Sequence, residues 1–458
     1  MKRIVSILLV CALSVLCIGC KSKSDSLSTG TEGRENSLWV VVDLRQDSME
    51  SDLSSDVASF QDSVKYVVGE DIEEVVFECI PPEGAERDTA IDRIRTEIMS
   101  GGGPDVFIAQ CDNQWEPMLF QMPEKAMALD LFLPLDEYIE NAEHAEWDKF
   151  TQRGMEAGRD EEGQQLVPLS YILPAAMYRE SDVSHTPKQM TWEDMKNDEA
   201  LQDAVVRLGA GFNSIGDWEF PVEYLLGELA DFKAEELLFT EDELLNHVNT
   251  IIELSDYYEE NAYAEKEYST KTHLGLWFNL SGVTANGPYG TYDASQSGGR
   301  LNGLTEQDPL TLVPFYSDDG GNTAVITAFA AVNRNTRRPE DAFKVIDLLM
   351  STSRQTNSTM FAYHIYSYVG MPMHEEVMSQ KYEMRVNAVS NSWFSLADNN
   401  FRKVCAVRDQ ITAAQFSGAL NAELENMMVN CYRAHLNGED YTNLVHEAYA
   451  AMEQMMAE

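Results

Sequence analysis

An α/β fold resting on a parallel sheet is what this sequence predicts, and three observations predict it. "LWVVVDL" (Leu38–Leu44) is a continuous, valine-rich apolar run, the pattern of a strand covered on both faces. From there strand, helix, strand, helix, strand follow within about seventy residues, the rhythm of βαβ units. The chain has 458 residues of which 44% are apolar, enough for two lobes with substantial cores.

Each element has its own warrant. A helix-like stretch at about 52–66 follows the first strand, and "EEVVFECI" (Glu73–Ile80) is the second strand candidate. In "ERDTAIDRIRTEIMS", Ile91, Ile94 and Ile98 recur at helical spacing among charges, which gives a helix one apolar face. Gly101, Gly102 and Gly103 stop that helix, and "PDVFIA" supplies the third strand. The rest is more helical: "TWEDMKNDEALQDAVVRL", "EDELLNHVNTIIELSDYYEENA" and "PEDAFKVIDLLMS". Two strand candidates interrupt it, "LTLVPF" (Leu310–Phe315) and "AVITAFAAVN" (Ala324–Asn333), and from about Asn399 to Glu458 the sequence reads as helical throughout. No fixed-period repeat and no long linker divides the chain, so two lobes would be woven together by several crossings.

The N-terminus is a separate object. Lys2 and Arg3 precede the apolar run Ile4–Ile18, which ends at Gly19-Cys20. That is the layout of a secretory signal, and the run falls short of the ~20 residues of a spanning helix. "LSVLCIGC" resembles a bacterial lipoprotein signal, in which cleavage before the cysteine lets its sulfur carry a diacylglycerol. Cys17 departs from that pattern, standing where leucine is commoner. Residues 1–19 are read as a lipoprotein signal peptide and residues 20–36 as lipid anchor, at Cys20, and flexible tether. The alternative is an ordinary signal peptide with an incidental cysteine. The polar tract "KSKSDSLSTGTEGRENS" lacks apolar surface to fold on and reaches about 20–25 Å as a coil.

Charge and motifs exclude several function classes. With 33 basic and 77 acidic residues the net charge is −44. Such a surface repels nucleic-acid backbones and anionic lipid headgroups, so nucleic acid is not an expected partner and membrane contact runs through the anchor only. Cys79, Cys111, Cys405 and Cys431 lie in the folding part at wide spacings, with no C-x-x-C for zinc or redox chemistry. A Cys405–Cys431 or Cys79–Cys111 bridge and buried free thiols both remain open. "HEEVM" and "HEAYA" lack the second histidine of a zinc protease motif, and there is no G-x-S-x-G elbow or Walker motif. No catalytic residue, metal or cofactor is expected.

The three glycines invite a phosphate-loop reading, which the order of elements rejects. Phosphate loops place glycines after a strand and before a helix; these follow a helix and precede a strand. The informative end is the other one, because ligands of open α/β sheets bind outside the carboxyl ends of the strands. "VFIA" ends by delivering Asp112, Asn113 and Trp115 there.

"EIMSGGGPDVFIAQCDNQW" resembles the helix–Gly–Pro–Asp–strand signature of the extracellular solute-binding proteins that serve ABC importers, in the sugar-binding branch that contains the maltose-binding protein. In the same chain order, "LVPLSYILPAAMYRES" resembles that family's crossing strand, "PKQMTWEDM" a helix start and "NGPYGTY" a ligand-contacting turn. "LTLVPF…AVITAFAAVNRNTRRPEDAFKVIDLLMS" resembles its return strands and the helix after them. The resemblance implies a two-lobe periplasmic-binding-protein-like fold (type II), with a cleft between lobes joined by a multi-segment hinge. It implies one lobe of residues 37–170 plus 327–370 and another of 171–326 plus 371–458. The implied activity is capture of a small solute, a sugar or oligosaccharide, by an exported monomer anchored at the outer face of the bacterial cytoplasmic membrane, with delivery to ABC permease subunits.

A sugar site needs convergent polar groups on an aromatic-lined cleft. Asp112 lies seven residues after Asp105, where the relatives carry a sugar-contacting carboxylate, and Tyr289 matches their stacking aromatic. Tyr292 is offset by one residue from a further family aromatic. Trp115 is a cleft residue or a surface cap. Tyr171 faces the cleft or packs in the hinge. Trp218 and Trp393 fall near family aromatics, or belong to interlobe packing. Two rivals stand beside solute capture: a lipid-anchored glycosidase, which needs a spaced carboxyl pair, and a surface scaffold or adhesion protein on the same fold.

Overall fold

The computed structural model describes residues 36–44, 53–111, 117–173, 175–179, 189, 191–198, 226–262, 276–277, 310–314, 316–317, 320–356, 371–377 and 405–457. Strand β1 (Ser37–Asp43) is buried from Leu38 onward, because both of its edges are paired. Strand β2 (Glu74–Cys79) and strand β3 (Val106–Gln110) run parallel to it on either side. Helix α1 (Leu53–Val64) connects the first pair and α2 (Gly84–Met99) brings the chain to β3, with Ile91, Ile94 and Ile98 buried as their spacing demands.

The glycine run is a helix terminus with a staple behind it. Gly101 has φ +81°, its N–H reaches Ile98 O at 2.9 Å, and Gly102 N–H reaches Glu97 O at 3.0 Å. These two bonds satisfy the last carbonyls of α2 in the pattern glycine allows. Asp105 then ties β3 to its neighbours. Its carboxylate accepts Trp39 N–H at 2.8 Å and the Thr336 hydroxyl at 2.5 Å. Asn333 donates its amide to Gly102 O and Pro104 O, at 2.9 and 2.8 Å. Gly-Pro-Asp is therefore a scaffold motif.

The middle of the chain holds short elements: α3 (Pro123–Ala128), α4 (Asp136–Ile139), α5 (Gln152–Glu156), and the hairpin of β4 (Arg159–Asp160) and β5 (Gly163–Gln164). Strand β6 (Leu166–Ile172) follows, entirely buried, and then β7 (Ala175–Arg179). After α6 (Trp192–Asn197), β8 (Ala230–Asp231) and β9 (Glu236–Leu237) form a hairpin and α7 (Glu241–Ala262) runs its expected length. Strands β10 (Leu276–Trp277) and β11 (Leu310–Pro314) flank β7 in a three-stranded sheet.

Strand β12 (Thr323–Val332) returns to the main sheet and is followed by α8 (Pro339–Met350) and α9 (Thr352–Thr356). Strand β13 (Met371–Pro372) pairs β6. The main sheet is ordered β13-β6-β12-β3-β1-β2, with β14 (Ala413–Phe416) also on β12. Two helices end the chain, α10 (Ala419–Leu436) and α11 (Thr442–Ala457). On the sheet's core, Phe107, Phe120, Phe132 and Phe329 meet edge-on or tilted at centroid separations from 5.0 to 6.4 Å, and Phe416 adds to Phe329 at 5.6 Å. Such ring clusters add about 0.5–1.5 kcal/mol per pair beyond burial.

One expectation is corrected. The segment from Asn399 onward is not helical throughout, because β14 interrupts it. Its sequence, "AAQF", has no strand signature of its own. Parallel pairing with the start of β12 overrides the helical preference of its alanines, and Gln415 locks it by accepting Leu229 N–H and donating to Gly227 O. The four described cysteines are free thiols, with Cys111 and Cys431 buried, so neither candidate bridge is formed.

Candidate functional site

The strand order β2-β1-β3 has β1 in the middle, and the chain leaves β1 and β3 toward opposite neighbours. Between the carboxyl ends of two such strands a doubly wound sheet opens a crevice. A buried ion pair stands at these strand ends. Asp43, the last residue of β1, receives Arg87 Nη1 at 2.7 Å, and both side chains are under 5% exposed. Arg87 also donates to Pro81 O and, through Nε and Nη2 at 3.1 and 2.8 Å, to Pro117 O. Asp43 takes Leu119 N–H at 3.0 Å, and Arg95 holds Met118 O and Leu119 O. The chain is thus pinned at Pro117–Leu119, directly after residues 112–116.

Its entry to that segment is pinned too. Cys111 N–H donates to Thr327 O at 2.9 Å and the Cys111 thiol lies 3.1 Å from Ile326 O. Thr327 is a register break on β12: before it β12 pairs β14, after it β3. β14 is parallel to β12 and β3 antiparallel, so their carboxyl ends converge on Thr327. The Thr327 hydroxyl is 2.9 Å from that of Ser170 on β6, both fully buried. At this place the chain also passes between sheets, from β6 to β7 and back from β11 to β12.

Tyr171 stands on β6 opposite Ile326 and Met371, 1% exposed. Among the described residues its hydroxyl makes no well-formed hydrogen bond, with the Thr151 side chain its one weak partner, and burial holds its pKa far above the ordinary phenol value. Asn322, just before β12, donates to Val407 O, while its Oδ1 is buried without a partner among the described residues. Asp112, Asn113, Trp115, Trp218, Tyr289, Tyr292, Trp393 and Cys20 lie outside the described residues. Sequence reasoning missed Asp43 and Arg87. The signal was there: Arg87 continues the apolar stripe of Ile91, Ile94 and Ile98, where an arginine requires a buried acceptor. Among the described residues no cluster of three metal-ligating side chains is formed, and no helix is long and apolar enough to cross a membrane.

No family model matches the sequence, and no curated protein matches it. Solved structures do. An extracellular solute-binding protein family 1 member from Alicyclobacillus acidocaldarius subsp. acidocaldarius superposes with TM-score 0.54 at 12% identity, over 92% of this chain and 98% of that one. The sugar-binding protein MalE from the phytopathogen Xanthomonas citri gives 0.53 at 13%, over 92% and 97%. A de novo designed cysteine esterase gives 0.55 at 10%, over 92% and 98%. The chain therefore has the two-lobe fold of the type II periplasmic binding proteins. That fold carries both capture and designed catalysis, so chemistry must be argued from the site.

Proposed function

We propose that the chain is the substrate-binding lipoprotein of an ABC import system, taking a small solute into the cleft between its lobes and delivering it to permease subunits. The observation that supports this reading is the fixing of the chain at the carboxyl ends of β1 and β3: Cys111 and Pro117, on either side of residues 112–116, are both held by hydrogen bonds. Asp112, Asn113 and Trp115 fall between them in sequence, and Tyr171 lies on β6, the strand that leads toward β7. Lobes of 37–170 plus 327–370 and 171–326 plus 371–458 put the crossings near these same points. A carbohydrate suits the aromatic candidates Tyr289, Tyr292, Trp218 and Trp393, and the sugar-binding neighbour supports that class. The signal at 1–19, the anchor at Cys20 and the tether would keep an exported monomer beside the importer and raise its effective concentration there.

Capture needs no bond to be made or broken. Open and closed forms exchange, and a ligand that bridges both lobes favours the closed one. The test is a thermal-shift screen of residues 37–458 against mono- and oligosaccharides, with polyamines, amino acids and peptides as controls. A ligand at a hundred times its dissociation constant adds about 2.7 kcal/mol. A shift with one saccharide class and no product on incubation is expected. Product formation would give the glycosidase reading instead, and a shift only with a cationic control would overturn the sugar. With the saccharide found, Tyr289→Ala should weaken its binding by roughly 1–3 kcal/mol, the worth of one large buried apolar side chain; unchanged affinity removes Tyr289 from the site.

A further inference from the structure

Three stretches far apart in sequence meet around His374, just after β13. An antiparallel bridge joins Phe150 to His374, and Thr151 donates both its N–H and its hydroxyl to Met373 O, at 3.0 and 3.2 Å. Lys149 and Glu376 pair across the same seam at 3.4 Å. The third stretch is the start of α9. Its first residue, Thr352, donates its hydroxyl to Glu146 Oε2 at 2.7 Å, and the same oxygen lies 2.9 Å from His374 Nε2.

The His374 side chain is fully buried, its ring edge-on to Phe150 at 4.9 Å. Its two nitrogens have opposite tasks. Nδ1 receives the N–H groups of Glu376 and Val377, at 3.2 and 3.4 Å, so it must present a lone pair. The ring proton therefore sits on Nε2 and is donated to Thr352 Oγ1, whose own proton goes on to Glu146. That assignment excludes the imidazole as a base for the Thr352 hydroxyl, because Nε2 has no lone pair to offer. His374 serves instead as the cap of the helical turn Glu375–Val377.

A second proton can go only to Nδ1, where it would point at two N–H groups. Around the ring stand Glu146, half exposed, with Oε2 3.5 Å from Nε2, then Glu375 and Glu376 of its own turn, and Lys149, occupied with Glu376. From α9 the group that meets it is the neutral Thr352 hydroxyl. Burial of the ring outweighs the three carboxylates, which favour the imidazolium, and holds its pKa below the ordinary histidine value.

We propose that His374 is the pin of an acid-released lock: the neutral ring holds residues 146–151, the start of α9 and residues 373–377 together, and a proton on Nδ1 uncaps the turn and lets them part. The lock is whole above the ordinary histidine pKa of 6.5 and weakens as pH falls below it. β13 is the outermost strand of the main sheet on this side, so release loosens that edge and leaves β1, β2 and β3 intact. The lock works whatever solute the protein takes.

The test is amide hydrogen exchange of the purified, ligand-free protein between pH 5 and pH 8, expressed as protection factors so that intrinsic exchange is removed. Protection at Thr151, Glu376 and Val377 should be about tenfold lower at pH 5 than at pH 7.5, while Val41 in β1 keeps its protection. In His374→Asn, whose side-chain oxygen takes the place of Nδ1 and does not titrate, all four should stay level. Level protection at Thr151 in the wild type, an equal fall at Val41, or the same fall in His374→Asn would overturn the proposal. If the variant does not fold, the nitrogen-15 shifts of the wild-type His374 ring decide. A neutral ring protonated on Nε2, taking its second proton over the pH range in which protection is lost, supports the lock. A ring protonated on Nδ1 at pH 7.5, or titration and protection that do not coincide, removes it. Because no solute is used, failure here leaves the solute-binding reading untouched.

Discussion

Arg87 and Asp43 show how much one buried pair holds at these strand ends. Removing either partner leaves a desolvated charge, at a cost of about 3–5 kcal/mol. Arg87→Met should lower the urea midpoint accordingly, and it should also release Pro117 O and loosen the chain directly after residues 112–116. A loss under 1 kcal/mol would mean that the pair is solvated. Tyr171 predicts the opposite sign. Its hydroxyl is buried with no well-formed hydrogen bond among the described residues, so Tyr171→Phe should leave stability unchanged or raise it by about 1 kcal/mol, read by chemical denaturation. A clear destabilisation would show that the hydroxyl is hydrogen-bonded in solution. Of the two places the sequence allows Tyr171, the cleft or the hinge packing, the structure shows its ring buried.

Among the elements, those with strong local patterns were legible. The valine run became β1, the isoleucine spacing became α2, and "EDELLNHVNTIIELSDYYEENA" became α7 residue for residue. Gly101 was readable as a stop because only a residue free to take positive φ fits there; Gly101→Ala should cost about 1 kcal/mol in thermal denaturation. β14 was illegible because nothing in Ala-Ala-Gln-Phe demands a strand; its place is decided by the open edge of β12 and by Gln415. Asp347, buried on α8, could not be foreseen either. Its carboxylate gathers the N–H groups of Glu143, His144 and Ala145 and the Trp147 indole, donors from about two hundred residues earlier. The candidate site was legible only as a position: the segment after β3 could be named from chain order, but the contacts that hold Cys111 and Pro117 on either side of it are long-range and no spacing encodes them.

At the scale of the whole molecule, the folded state prefers a neutral Glu124, and the sign of its pH dependence follows. A carboxyl raised from 4.5 to about 7 contributes stability that is complete below pH 4.5 and lost as pH rises through about 7. Glu124→Gln should match the wild type near pH 5 and exceed it near pH 8 by about 1–3 kcal/mol. Equal melting temperatures across that range would place the carboxyl in water. Small-angle scattering with and without the saccharide found by screening checks the two-lobe mechanism; a radius of gyration that does not shrink favours a scaffold role.

The meeting of strand ends at Thr327 also sets an order of assembly. A chain is made N-terminus first, and β1, β2 and β3 can pair as soon as they emerge. The free edge of β3 must then wait for β12, where Ile108 finds Ala330, and β12 in turn waits for Phe416 to close beside Ile326. Until β14 is synthesised, the unmet N–H and C=O groups of Thr323–Ile326 stay open to any other strand. A shielding helper that occupies that edge during synthesis would matter more for the yield of this protein than any gain in its final stability.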